Sequence, residues 1–314
     1  MTNVPDPEQD LLTTLGAENA GRRIARVAGS RWGRLFLPAS EEMAKKPHDG
    51  LRILCIGSWT LGLLTFETLL SQEARKSGGV RLVGLVTDDP LDVDAKISVK
   101  KRFWRYYDDS EREGYEWGIL RRALSSGIPC YTGEIKCDVF REILVQWNPE
   151  AIVVAAFGQV IDETIITFPG YGIYNVHPSD LLHCHGAGPQ PWEDIIERKA
   201  SSTRVTIHKV SRTIDDGCIV GQSPEINVRL PDGSVSDDVR MIGEKTLVPV
   251  GPMVRELALA LVDRKTIGAR GPLDFLDFER IFSSDFKSRL MEPLDPVRRG
   301  HILPLPIGEE EYTV

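Results

Sequence analysis

From residue 51 onward, short continuous apolar runs alternate with stretches whose apolar residues recur at helical spacing. The run "LRILCIG" (51–57) ends in glycine and leads into the helical pattern "TLGLLTFETLLSQ"; "VRLVGLVTD" (80–88) and "AIVVAAFG" (151–158) are two further runs. Runs this short and uniformly apolar predict strands buried on both faces, which need helices to cover them. Helices are expected over 117–125 and through "VFREILVQWN" (139–148), with "IPCYTG" lying between them. The pattern predicts an α/β class with a doubly wound, mostly parallel sheet, whose ligands sit beyond the carboxyl ends of the strands. Downstream, "YGIYNVH" reads as a short strand, and "RVTIHKV", "SRTIDDG", "CIVGQ" as strand, turn, strand. A helix is expected through "AGRRIARVAGSRW" (20–32), and another across "EKTLVPVGPMVRELALALVDR" (244–264), with a weaker one in "FLDFERIFSSDF". These patterns divide the chain into an N-terminal extension (1–49), a main domain (50–225) and a small C-terminal helical subdomain with its tail (226–314).

Bulk properties narrow the function. The 314 residues carry a formal net charge of −8, so no general basic surface suits nucleic acid. No apolar run is long enough to span a bilayer, and the acidic start "MTNVPDPEQD" is unlike a signal peptide, which points to the cytoplasm. The five cysteines include no CxxC pair, against a disulfide framework or zinc finger.

The loops after the strands carry the candidate chemistry. "GSWTLG" (57–62) lacks the middle glycine of a dinucleotide fingerprint, and Asp88 and Asp89 fall about ten residues too late for a ribose partner. "GEKT" (243–246) lacks the upstream glycine of a phosphate-binding loop and reads as a polar segment before a helix. Asn175 and His177 are two apart, so an extended strand puts both side chains on one face. An amide N–H and an imidazole placed together suit acyl transfer, in which negative charge develops on an oxygen and a proton moves. Asp215 and Asp216, before a glycine in the downstream turn, are the carboxylates that would set the imidazole's protonation. The segment 96–117 interleaves basic and aromatic residues; it reads either as a phosphate or ring contact or as a surface lid.

The segments "LRILCIGSWTLGLLTFETLL", "AAFGQVI", "NVHPSDLLHCHGAGPQPW" and "VTIHKVSRTIDDGCIV" together resemble the folate-dependent formyltransferases, over about residues 51–225. The resemblance implies a Rossmann-like formyltransferase fold and 10-formyltetrahydrofolate as donor to an amine. It implies Asn175, His177 and Asp215 as the catalytic trio, with Asp215 favouring a protonated His177. It also implies that Phe157, Gly158, Gln159, Val160 and Ile161 hold the pterin ring, largely through the backbone. His208 falls where some members also place histidine.

Departures from the family bear on the acceptor. Where members read Ser-Leu-Leu-Pro-x-Tyr-Arg-Gly, this chain has Ser179, Asp180, Leu181, Leu182, His183, Cys184, His185 and Gly186. An imidazole cannot reproduce the bidentate fork of the missing arginine. Ser179, Asp180, His183, His185, His208 and Asp216 are therefore the candidate acceptor contacts, and a small-molecule amine is the expected acceptor, with no nucleic acid and no membrane partner. The chain does not specify its oligomeric state; a homodimer is one option. A zinc trio of His177, His183 and His185 is disfavoured, because acyl transfer needs a free ring nitrogen on His177, and no metal is expected. Two alternatives stay open: a 10-formyltetrahydrofolate hydrolase, and a folate- or nucleotide-binding regulator without catalysis.

Overall fold

The computed structural model describes residues 23–26, 33–39, 49–73, 79–90, 92, 97, 103–183, 186–188 and 190–295. They fall into two compact units, one of Met1–Ile173 with Ala258–Pro272, the other of Tyr174–Leu257 with Leu273–Val314.

The first unit is built on β1 (Arg23–Arg26), β2 (Arg34–Leu37), β3 (Leu51–Gly57), β4 (Val80–Val86), β5 (Cys130–Tyr131) and β6 (Ala151–Ala155). Their order across the sheet is β1-β2-β5-β4-β3-β6. The pairs β5–β4, β4–β3 and β3–β6 are parallel, while β1–β2 and β2–β5 are antiparallel. β3 lies between two parallel neighbours, and its residues apart from Arg52 are buried, as are all five of β6. That is why these strands are continuous apolar runs with no polar alternation. Cys55 and Cys130 are core residues here, and burial pushes the Cys55 thiol up to about 12.

Helices α1 (Trp59–Glu73), α2 (Asp109–Ser125) and α3 (Asp138–Trp147) join these strands, and a single turn, α4 (Glu163–Ile166), follows β6. The glycines of "GSWTLG" serve the packing of α1 on its strand: a Cβ at Gly62 would lie 2.6 Å from the Gly57 carbonyl carbon, and one at Gly57 would lie 2.7 Å from the Ala155 oxygen. Helix α2 starts eight residues before the expected Trp117, because Asp108 and Glu111 form a reciprocal capping box at its first turn. Helix α3 ends at Asn148, whose left-handed backbone (φ 44°) precedes Pro149.

The helix expected over 20–32 is corrected. Arg23–Arg26, inside the helix expected over 20–32, is a strand, held by antiparallel pairing with Arg34–Leu37 that local periodicity does not reveal. Asp88 and Asp89 are buried and committed to internal bonds. Asp89 takes the Arg34 guanidinium at 2.6 Å and the Thr132 hydroxyl at 2.9 Å; Asp88 accepts from the Ile97 amide and, at 3.2 Å, from the Trp104 indole.

The second unit holds β7 (Ile173–His177, from Tyr174 onward), β9 (Thr206–Lys209) and β10 (Ile219–Gln222) in an antiparallel run β7-β9-β10. A small ribbon pairs β8 (Ser202–Thr203) with β11 (Ile226–Asn227). Helices α5 (Pro191–Glu197), α6 (Val239–Leu247) and α8 (Ser284–Met291) belong to it as well, and α7 (Val250–Thr266) contributes residues to both units. The single helix expected over 244–264 is two, α6 and α7, interrupted at Pro249, which lacks the amide needed to continue α6. Gly243 and Thr246 of "GEKT" lie within α6: Gly243 packs near the Trp192 ring, and Thr246 accepts from the Trp192 indole at 3.3 Å. No helix among the described residues is long and apolar enough to cross a membrane.

Candidate active site

The catalytic candidates converge within the second unit. Strand β7 carries Asn175 and His177, and its antiparallel register with β9 sets Asn175 opposite His208 and His177 opposite Thr206. The turn between β9 and β10 then returns Asp215 to the same place. Asp215 holds a left-handed backbone (φ 52°), a conformation that asparagine and aspartate tolerate better than other non-glycine residues. Two residues on, Gly217 passes so close to β9 that a Cβ would lie 1.6 Å from the Lys209 oxygen, so the turn admits only glycine there.

Hydrogen-bond chemistry fixes the orientation of each group. The Lys209 carbonyl is an acceptor, so His208 donates Nδ1–H to it (2.9 Å) and leaves Nε2 as a lone pair. Asn175 Nδ2 supplies donors to that nitrogen at 3.1 Å and to Asp215 Oδ1 at 3.2 Å. Asp215 Oδ2 accepts the Gly188 amide at 2.8 Å. His177 donates Nε2–H to the Gly186 carbonyl at 2.8 Å, which turns Nδ1 toward Asp215 at 3.9 Å. Asp215, rather than Asp216, therefore lies among the three polar side chains; Asp216 is exposed in the same turn.

Electrostatics separates the two titrating partners. Burial of Asp215 alone would raise its carboxyl, but the imidazoles beside it, His208 at 3.5 Å and His177 at 3.9 Å, together with the Gly188 amide hold it at about 2. His177 moves below its ordinary value because burial outweighs the opposing pull of Asp215 and the Gly186 carbonyl. Asp215 does favour the protonated imidazole, but from 3.9 Å its pull is smaller than the cost of desolvation. A neutral His177 with Nε2–H committed presents a basic Nδ1 to the site, which suits proton acceptance from an attacking amine.

The loop after β7 is closed on itself, since it leaves at His177 and returns when the Gly186 carbonyl meets that ring. Within it Ser179 also donates to Gly186 O, and Asp180 accepts from His183 Nδ1 at 2.7 Å and Gln222 Nε2 at 2.9 Å. The Asp194 carboxylate secures the Gly186 amide at 2.9 Å. Cys184 and His185 lie outside the described residues. Among the described residues no group of His, Cys, Asp and Glu side chains is placed to hold a metal ion. The backbone partners Gly186 and Gly188, and the braces Thr206, Gln222 and Asp194, were not singled out in the sequence; backbone groups carry no residue-type signal.

In the first unit, the segment expected to hold the pterin follows Ala156, another left-handed residue (φ 56°) that turns the chain out of β6. The Gly158 amide donates to Ile97 O, and the Gln159 side chain is tied to the Ile135 amide (3.1 Å) and Gly133 carbonyl (3.2 Å). Ile161 is buried, Phe157 is half-buried and Val160 is exposed. Of the segment 96–117, Trp104 and Tyr107 are buried and pack edge-on with ring centroids 6.0 Å apart, so these two aromatics are spent internally. Lys96, Lys100, Lys101 and Arg102 lie outside the described residues.

Comparison with known proteins bears on this constellation. Residues 135–250 match the family model described as Formyl transferase, a span that contains Asn175, His177, His208 and Asp215. That segment is thus similar to the formyl transferases. The methionyl-tRNA formyltransferase of Dictyoglomus turgidum is 36% identical over 152 residues, covering 46% of each chain. That of Syntrophus aciditrophicus is 43% identical over 88 residues, covering 28% of each. The chain thus spans less than half the length of these curated relatives. Among solved structures, phosphoribosylglycinamide formyltransferase from Anaplasma phagocytophilum aligns with a TM-score of 0.50 at 18% identity, over 69% of this chain and 88% of that one. Glycinamide ribonucleotide transformylase 1 from Symbiobacterium toebii aligns with a TM-score of 0.51 at 16% identity, over 69% and 91%. These two likenesses show the α/β Rossmann-like fold.

Proposed function

We infer that the chain transfers a formyl group from 10-formyltetrahydrofolate to the amine of a small-molecule acceptor, using Asn175, His177 and Asp215. The observation that carries this reading is the convergence of an amide, two imidazoles and one ionised carboxylate from two antiparallel strands and the turn that follows the second. In this reading the Asn175 amide releases one of its two present partners to stabilise charge developing on the formyl oxygen. His177 Nδ1 accepts the proton lost by the amine, the resulting imidazolium is stabilised by Asp215, and the same proton passes to N10 of tetrahydrofolate as the bond between N10 and the formyl carbon breaks. The pterin falls to the loop of Phe157, Gly158, Gln159, Val160 and Ile161. That loop fits a flat ring in one respect: its own bonds from Gly158 and Gln159 make it rigid, with apolar Val160 facing outward.

A second reading takes its support from the names of the curated relatives, both methionyl-tRNA formyltransferases, and makes a charged tRNA the acceptor. The net charge of −8 favours the small molecule. The test is release of tetrahydrofolate from 10-formyltetrahydrofolate, followed with no acceptor, with a panel of small amines and with methionyl-tRNA. Release that depends on a small amine supports the proposal. Release that depends on methionyl-tRNA alone moves the assignment to the second reading, release without any acceptor makes the protein a hydrolase, and no release overturns catalysis.

A further inference from the structure

Two separate lines of hydrogen bonds tie the segment Phe157 to Ile161 to its surroundings, and both finish on adjacent buried aspartates at the end of β4. One line runs from the Gly158 amide to the Ile97 carbonyl, and from the Ile97 amide to the Asp88 carboxylate. The other starts at the Gln159 side chain, which grips the loop after β5 at two points. It accepts the Ile135 amide at 3.1 Å and donates to the Gly133 carbonyl at 3.2 Å. Thr132, next to Gly133, donates its hydroxyl to Asp89 at 2.9 Å. Asp88 and Asp89 are only 1% and 0% exposed, so the protein rather than water must stabilise both carboxylates.

For Asp89 a large part of that stabilisation comes from Arg34, whose guanidinium lies 2.6 Å away. Arg34 stands on β2, in the N-terminal extension. It lies outside the span 51–225 that carries the family resemblance and outside the residues 135–250 that match the family model. The same residue is bonded to Thr132 through its backbone: the Arg34 amide donates to the Thr132 hydroxyl at 3.2 Å, and the Thr132 amide donates to the Arg34 carbonyl at 3.0 Å. Beside it, Gly33 meets Gly133 backbone to backbone, and a Cβ on Gly33 would lie 2.6 Å from the Gly133 Cα. Phe36, fully buried and paired with Cys130, keeps this strand in the sheet. The extension is thus fastened at Thr132 and Gly133, the two residues that lead to the Gln159 grip. Loss of the Arg34 guanidinium removes a cation from a fully buried carboxylate, a change that shifts the groups bonded to it, Thr132 among them.

Building on the reading of residues 157–161 as the donor loop, we propose that Arg34 is a positioning residue for the folate co-substrate. With Asp89 and Thr132 it holds the loop after β5, and through Gln159 it keeps the donor loop in its binding conformation. The N-terminal extension then belongs to the donor-binding machinery. A loop already held in one conformation binds its ligand without first being ordered, so each tie that is lost appears as weaker affinity.

The test uses the full chain and 5-formyltetrahydrofolate, a stable isomer of the donor with the same reduced pterin, titrated by calorimetry. Gln159→Ala, which removes both bonds of the grip, should raise Kd about ten-fold. Arg34→Met should raise it by a similar factor, and Arg34→Lys, which keeps a charged nitrogen for Asp89, by much less. The double variant Arg34→Met/Gln159→Ala should also stay at about ten-fold, because both changes break one line; independent effects would multiply to about 100-fold. Amide hydrogen exchange gives a second readout without ligand. In Arg34→Met it should quicken at Gly158 to Ile161 and stay unchanged at Asn175 to His177, whereas a general loss of stability quickens both. If Arg34→Met does not fold, Arg34→Gln, which keeps a donor to Asp89 without the charge, carries the same comparisons. An unchanged Kd in either single variant, multiplied effects in the double variant, or exchange that quickens at both segments overturns the proposal while the transfer reading stands. A wild type that does not bind 5-formyltetrahydrofolate overturns the donor reading and the proposal with it.

Discussion

Replacing Asp215 by Asn keeps the side chain's shape and tolerates the left-handed backbone, but removes the charge around which Asn175, His177 and His208 are arranged. The carboxyl titrates at about 2 in the folded protein against an ordinary 3.8. A group depressed in this way contributes stability that is present above its unfolded value and is lost as pH falls toward its folded one. The gap corresponds to about 2 kcal/mol, present above pH 3.8 and lost as the pH approaches 2. With its side chain only 10% exposed, Asp215 needs little discount for solvent screening. Urea unfolding of the wild type and Asp215→Asn, followed by tryptophan fluorescence from about pH 7 down to about pH 2.5, should show a difference of about 2 kcal/mol at neutral pH that shrinks steadily below about pH 4. Other carboxylates titrate in both proteins and cancel in the difference. A stability difference that stays constant across this range, or is absent at neutral pH, would refute the claim that Asp215 is held ionised by these partners.

Three further outcomes follow from the same geometry. The His177 ring should titrate below 6.5 by NMR, and its contribution to stability, present above pH 6.5, should fall away as the pH drops through the folded value; a raised titration point contradicts a ring dominated by burial. Gly217→Ala should destabilise the turn by about 1–3 kcal/mol or more, because the added methyl meets the Lys209 carbonyl that holds His208; unchanged unfolding in urea speaks against so close an approach of strand and turn. Asp89→Ala should cost about 3–5 kcal/mol by leaving Arg34 buried without its carboxylate, measured by chemical denaturation, and a loss below about 1 kcal/mol would mean the pair is not desolvated.

Much of the framework was legible in local pattern. Strand β6 is apolar throughout and β3 is so apart from Arg52 because they are buried, and that condition writes itself directly into residue type. The i, i+2 spacing of Asn175 and His177 likewise survives translation into a strand. What was missed depends on partners distant in sequence. Arg23–Arg26 has the composition of a helix and becomes a strand only by pairing with Arg34–Leu37. The start of α2 was hidden because Asp108 and Glu111 cap it within a charged stretch that has no apolar period. At the site, the net downward shift of His177 was not legible, because the sequence shows the presence of Asp215 but not the 3.9 Å separation or the burial that decides the balance. Gly186 and Gly188 act through main-chain atoms, so nothing in their side chains announces the bonds to His177 and Asp215.

The central claim is that Asn175 and His177 act on the formyl group as it moves to an amine. Single-turnover release of tetrahydrofolate, measured at saturating donor with an amine that the wild type accepts, tests it most directly. The account predicts that Asn175→Ala slows this step about 10²- to 10³-fold, the usual cost of removing one donor to a developing oxyanion. Release by Asn175→Ala within a few-fold of the wild type would contradict it.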